Sequence, residues 1–99
     1  MEESKALELE HAVADYLFNE RRTALGVSLD GLAKKAYPDM DVASTRMKVH
    51  RFIKKREGDV PKRLTLGDFF RYCELLNVAP DRVITLILAR AGMIPELKD

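Results

Sequence analysis

Residues 28–56 read SLDGLAKKAYPDMDVASTRMKVHRFIKKR and predict two helices separated by a short break. Ser28 is a residue type that caps helix N-termini, so the first of the two is expected over Leu29 to about Ala36. Pro38 disfavours helical backbone at Tyr37 and ends this helix. The stretch therefore predicts a helix, a turn of five residues and a second helix in immediate succession.

The second helix, predicted from about Val42 to Arg56 with Asp39 or Asp41 as its cap, carries the most informative pattern. At about 100° per residue, one side of this helix collects apolar side chains and the opposite side collects polar and basic ones. The apolar set is Val42, Val49, Phe52 and Ile53, and the opposite set is Ser44, Lys48, Arg51 and Lys55. We expect the apolar flank to dock the helix on a core and the basic flank to face outward.

Three more helices are predicted, one before this pair and two after it. One runs from after Ser4 to about Ala24, one starts at Leu66 with Thr65 as its cap, and one runs from Pro80 to about Ala91. In these three helices and in the helix that begins after Ser28, the apolar residues at helical spacing are expected to be buried. They are Leu9, Val13, Tyr16, Leu17, Ala24, Leu29, Leu32, Ala33, Ala36, Leu66, Phe69, Phe70, Cys73, Leu76, Val83, Ile84, Ile87, Leu88 and Ala91. The sequence thus predicts an all-α, compact five-helix bundle.

The segment between the third and fourth helices is predicted to be a loop, from Glu57 to Leu64. In a second interpretation, Arg51–Arg56 and Val60–Leu66 form two strands of a wing. Pro61 argues against the second strand unless it lies at a sheet edge.

Length and composition bound the class of protein. A chain of 99 residues has room for one domain, with an expected core over about 5–92 and a short tail over 93–99. The longest apolar run, Val83–Ala89, is too short for a membrane span, which takes about 20 residues. The acidic start, Met1–Ser4, is unlike a signal peptide, and the single cysteine excludes an internal disulfide. These features predict a cytoplasmic protein without a membrane partner.

The distribution of charge is more informative than the net charge of +1. Residues 1–20 carry a net charge of −5, residues 21–63 carry +7, and residues 64–99 carry −1. The basic charge is concentrated in 44–56, where six lysines and arginines meet no acid before Glu57. This distribution indicates one basic face, which suits a polyanionic partner.

Catalytic chemistry is not indicated. The single Cys73 is expected in the core, and no nucleophile–base pair or glycine-rich phosphate loop is visible. His11 and Asp15 are more simply surface residues than metal ligands. We therefore expect neither an enzyme nor a cofactor or metal.

The order of these elements resembles the helix-turn-helix domain of the phage repressor and Cro-like family, of the xenobiotic-response-element type. The matching segments are Asn19–Arg22, Leu25–Leu29, the Leu32-Ala33 pair and Leu64–Val78, within a resemblance that covers roughly Leu17 to Leu88. The turn departs from the family pattern, because Tyr37–Asp41 is longer than usual and lacks glycine. The resemblance implies a lambda-repressor-like fold and a small DNA-binding transcriptional regulator, such as a prophage repressor or Cro-like protein.

The resemblance also implies site residues on double-stranded DNA. The helix over 42–56 would lie in the major groove, with Ser44, Thr45, Lys48 and Arg51 reading base edges. Ser28, Lys55, Lys62 and Arg63 would contact phosphates. Met47, beside this set, is expected to pack internally, with contact to a thymine methyl as the alternative.

Two further partners are predicted from the C-terminal segment. Leu86, Met93, Ile94 and Leu97 exceed what one inward face needs, and they indicate either a homodimer contact or packing within the same subunit. The alternative function is an antitoxin or another helical protein-interaction module on the same scaffold, which need not bind DNA.

Overall fold

The first predicted helix is a continuous helical rod, and four shorter helices follow it. The computed structural model describes residues 1–53 and 58–93, and every regular element in this part is helical. The rod consists of α1 (Glu3–Asp15), a π-helical segment (Tyr16–Arg21) and α2 (Arg22–Ala24). The remaining elements are α3 (Leu29–Ala36), α4 (Val42–His50), α5 (Leu66–Leu75) and α6 (Pro80–Arg90). The all-α class is confirmed, and residues 51–53 and 58–66 contain no strand of the alternative wing.

The predicted helix boundaries hold where a local side chain sets them. The Ser28 hydroxyl accepts a hydrogen bond from the Gly31 amide, and Thr65 caps α5 in the same way. Asp41, rather than Asp39, caps α4. Asn77 adopts the left-handed conformation after α5, with φ of 51°. Each of these signals lies within a few residues of the boundary it sets, which makes it visible in the sequence.

Three aromatic rings in mutual contact form the centre of the core. Phe18 lies parallel to Phe52 with 5.3 Å between ring centroids, and it meets Tyr72 edge-on at 4.9 Å. Phe18 and Tyr72 are fully buried and Phe52 is 3% exposed. Phe18 comes from the rod, Phe52 from the turn after α4 and Tyr72 from α5, so the cluster ties the end of α4 to the rest of the molecule.

The π-helical segment explains why the burial of Phe18 was not predicted. Its hydrogen bonds span one residue more than those of an α-helix, so the chain turns by a smaller angle per residue. This brings Phe18 closer to the direction of Val13, five residues earlier, and Val13, Leu17 and Phe18 are all buried. Ala24, predicted to be buried, is exposed.

The inward faces of α5 and α6 are narrower than predicted. Leu66 and Phe70 are 68% and 52% exposed, and fully buried Tyr72 takes their place in the core. Ile84 is 41% exposed and Ala91 is also exposed, so these two predictions were wrong as well. The two phenylalanines of α5 are adjacent in sequence, and periodicity alone does not tell which one lies at the centre of the stripe.

The helix α4 ends at His50, six residues before the predicted Arg56. The Phe52 and Ile53 amides bond to carbonyls three residues back, which tightens the chain into a turn. Phe52 then enters the aromatic cluster, and burial of its large ring fixes the direction of the chain. Residues 54–57, including Lys55, lie outside the described part.

Candidate nucleic-acid interface

Helices α3 and α4 form the most extensive helix–helix contact in the described residues. An ion pair links them across their exposed edge. The Arg46 Nε and Nη2 atoms donate to the two carboxylate oxygens of Asp30 at 3.0 and 2.9 Å. The hydrogen bonds from Arg46 lower the pKa of Asp30. This ion pair neutralises the charge of Arg46, one of the six basic residues that the sequence places in 44–56.

The exposed side of α4 has apolar residues at its apex and cations beside them. Met47 is 74% exposed and Ala43, one turn earlier, is also exposed. The expectation that Met47 packs internally was wrong. The position of Met47 in the sequence is consistent with its exposure, because Met47 lies about 200° around the helix from Thr45, which is buried.

Two cations lie together at the C-terminal end of α4. The guanidinium carbon of Arg51 lies 5.8 Å from the centroid of the Phe52 ring, and the Lys62 Nζ lies 5.4 Å from the same centroid. The Lys62 amide donates to the Arg51 carbonyl at 2.8 Å. Both side chains belong to exposed residues, so their charges are available to an anion.

The structure places Ser44, Lys48 and Arg51 toward the surface, and each one makes a contact within the protein. The Ser44 hydroxyl donates to Asp41 at 2.9 Å, and together with the Ser44 amide it lowers the pKa of this carboxyl. The Lys48 Nζ lies 5.4 Å from the centroid of the Tyr37 ring. The Arg51 Nε donates to the Lys48 carbonyl at 3.2 Å. A ligand would have to compete with these contacts.

Thr45 departs from the prediction that it reads bases. Its residue is 2% exposed, and its hydroxyl donates to the Val42 carbonyl at 2.9 Å. Val42, predicted to dock the helix, is 57% exposed instead. The inward set is therefore Thr45, Val49 and Phe52, and the internal hydrogen bond offsets the cost of burying the threonine hydroxyl.

The predicted phosphate contacts divide into two groups. Ser28 is exposed at the start of α3 and Lys62 lies beside Arg51, so both remain on the surface that α3 and α4 present. Arg63 is bound instead to Glu10 of α1, with its Nε and Nη2 atoms 2.6 and 3.0 Å from the carboxylate oxygens. Arg63 lowers the pKa of Glu10, and this ion pair gives it a structural contact that the prediction did not include.

Two N-terminal caps of matching geometry allow capping to be separated from ligand binding. Ser28 and Thr65 both have φ of −74° and ψ of 160°, and both accept a hydrogen bond from the amide three residues on. We expect Ser28→Ala and Thr65→Ala each to lower the free energy of unfolding by about 1 kcal/mol, measured by urea denaturation. If Ser28 contacts a phosphate as the resemblance implies, only Ser28→Ala should also weaken binding to duplex DNA in a fluorescence anisotropy titration. Equal affinities for the two variants would contradict a phosphate contact at Ser28.

The C-terminal residues predicted for a dimer contact are only partly described. Leu86 is half-buried and Met93 is 38% exposed at the end of the described chain. Ile94 and Leu97 lie outside the described residues. The dimer contact therefore stays a prediction.

In the part of the chain that the structure describes, other chemistry-bearing groups give no second candidate site. Cys73 is fully buried, and this burial raises the pKa of its thiol to about 11. Within residues 1–53 and 58–93, no three His, Cys, Asp or Glu side chains are placed to hold a metal ion. In the same two ranges, no helix is both long and apolar enough to cross a bilayer. A largely apolar groove of about 300 Å³ lies between α1, α5 and α6, and its lining residues include Leu66 and Ile84.

Comparison with known proteins identifies no relative. No family model, no curated protein and no solved structure matches the chain. The resemblance to Cro-like repressors therefore depends on the motifs of the sequence, and the function has to be argued from the surface of α3 and α4.

Proposed function

We propose that the protein binds double-stranded DNA, with α3 and α4 as a helix-turn-helix and α4 in the major groove. The observation that carries this proposal is the pair of cations at the end of α4, Arg51 and Lys62, held against one ring and joined by a backbone hydrogen bond. Residues 42–50 contain no acid, and the face of α4 that carries Thr45 and Val49 is buried. A helix of this kind has a docked side and a side suited to a polyanion.

Five polar residues of this surface have a chemical role in the proposal. The planar guanidinium of Arg51 is suited to bidentate pairing with guanine, and Lys48 and Ser44 supply donors to base edges. Lys62 and the N-terminus of α3 at Ser28 are suited to phosphates, which fix the register of the protein on the duplex. On this basis the protein acts as a small cytoplasmic transcriptional regulator of the repressor or Cro type.

The direct test is binding to a pool of random-sequence duplexes at about 50 and 200 mM salt. Affinity should fall with a slope of about −0.9 in log–log form for each phosphate contacted, or about fortyfold in total for three contacts. Fluorescence anisotropy measures both values. An affinity that does not change with salt would contradict the electrostatic basis of the proposal.

The ion pair between Asp30 and Arg46 makes a further prediction. Asp30→Asn removes a negative charge from the α3–α4 surface and releases Arg46, so binding to random duplex should become severalfold tighter and more dependent on salt. The pair between Glu20 and Arg90 is a matched control, since it has the same two-pronged geometry and similar exposure on the rod and α6. Glu20→Gln should leave the anisotropy titration unchanged, and an equal gain in both variants would show an effect of net charge alone.

The second candidate function is a helical protein-interaction module, such as an antitoxin. The apolar groove between α1, α5 and α6 favours it, because Leu66 and Ile84 leave apolar surface exposed there. Sedimentation analysis measures the mass of the protein in solution, which distinguishes a homodimer from a monomer whose groove is open to another protein. A dimer on DNA would place its two copies of α4 about 34 Å apart.

A further inference from the structure

The apex of α4 is apolar and has basic side chains beside it. Met47 is 74% exposed, and Ala43 lies one turn earlier on the same face. A single exposed methionine on a protein surface needs no explanation. Met47, however, lines a depression of about 590 Å³ together with Arg51 and Lys62, the two cations of the proposed interface, and with the acid Asp59.

The polar side chains next to Met47 in the sequence make contacts within the protein that limit their reach toward a ligand. Arg46 is bound to Asp30, and the Lys48 Nζ lies over the ring of Tyr37. Thr45 is buried. Among the large apolar residues of α4, Met47 is the most exposed, at 74%, and its thioether is therefore available to a ligand beside these restrained polar groups.

The major groove offers one apolar group to such a side chain. Thymine carries a methyl group at C5, which apolar side chains contact in base recognition. Methionine is unbranched and flexible, so its terminal methyl can adapt to the position of this group. The cations beside it match the phosphates on either side of the groove, which selects DNA over an uncharged apolar partner for this surface.

We propose that Met47 is a specificity-determining residue that reads the C5-methyl group of a thymine in the major groove, with Ala43 beside it. This inference rests on the proposed DNA-binding function. It predicts that α4 recognises a thymine by burial of apolar surface, in addition to any hydrogen bonds from Arg51 and Lys48.

The test uses deoxyuridine, which differs from thymidine only in lacking this methyl group. A duplex is first enriched from a random library with the wild-type protein, and its thymines are then replaced by deoxyuridine one at a time. Loss of one buried methyl should weaken binding of the wild type about fourfold at one position. Met47→Ala should lower affinity for the parent duplex and show no penalty for deoxyuridine there.

Two control variants separate this role from a general effect. Met47→Leu keeps an apolar side chain of similar size and should keep part of the penalty. Phe70→Ala, at an exposed apolar residue of α5, should behave like the wild type. Because Met47 is exposed, its replacement should leave the melting temperature unchanged.

The outcomes distinguish this inference from the function on which it rests. Binding without any deoxyuridine penalty, or a penalty that persists in Met47→Ala, overturns the reading of the methyl group and leaves DNA binding standing. Failure of every duplex to bind at low salt overturns both. If Met47→Ala instead abolishes self-association in sedimentation with no change in DNA affinity, the apex is a protein contact and the inference is wrong.

Discussion

Phe18→Ala is expected to lower the free energy of unfolding by about 3–5 kcal/mol, the largest effect on stability that we predict for a single substitution. Phe18 is fully buried and touches both other rings of the aromatic cluster, Phe52 and Tyr72. Its removal takes away the apolar surface that these rings bury and leaves a cavity that they fill only partly. Domains of this size are stable by about 5–15 kcal/mol, so the variant should be close to unfolding.

Urea denaturation followed by circular dichroism measures this loss. Phe70→Ala is the matched control, because the same side chain is 52% exposed on α5 and loses little burial when it is truncated. A loss below about 1 kcal/mol is expected there, as for most surface substitutions. Equal losses in the two variants would contradict the central position of Phe18 in the core.

Arg51→Ala is expected to produce the largest loss of function. If Arg51 pairs with a guanine, its loss should cost about 1–3 kcal/mol, or roughly 5- to 150-fold in affinity, and it should relax specificity at one base position. The enriched duplex and its single-position variants measure this dependence in anisotropy titrations. The contact between Arg51 and the Phe52 ring is at the surface, so the fold should remain intact.

The matched control is Arg82→Ala, an exposed arginine on α6 outside the α3–α4 surface. This variant should bind the enriched duplex as the wild type does. A uniform loss for Arg51→Ala over all duplexes would show that Arg51 contacts only phosphate. No loss in Arg51→Ala, or the same loss in Arg82→Ala, would contradict the proposed interface.

Local signals made the helix order and several boundaries predictable. Ser28, Asp41 and Thr65 cap the helices as their residue types suggest, and Pro80 opens α6 at its first position. These features depend on a few neighbouring residues, which is the range over which a sequence can be interpreted directly. The outward placement of Ser44, Lys48 and Arg51 followed from the same local periodicity.

Long-range contacts account for what the sequence did not indicate. Arg63 forms an ion pair with Glu10, 53 residues away in the sequence, and Arg90 forms one with Glu20, 70 residues away. The choice between Val42 and Thr45 as the inward residue depended on the direction in which α4 docks, which Phe52 sets through Phe18 and Tyr72. Periodicity within one helix carries no information on such partners.

The contact of Arg51 and Lys62 with Phe52 has a consequence for how the protein could change its target. Arg51 and Lys62 lie over the Phe52 ring, which is itself part of the core, so a substitution of Phe52 would alter both recognition and stability. Ala43 and Met47 are exposed, and the Ser44 hydroxyl is hydrogen-bonded to Asp41. New specificities should therefore evolve first at these three positions, while Phe52, beneath the cations at the other end of the helix, remains constrained by its packing on Phe18.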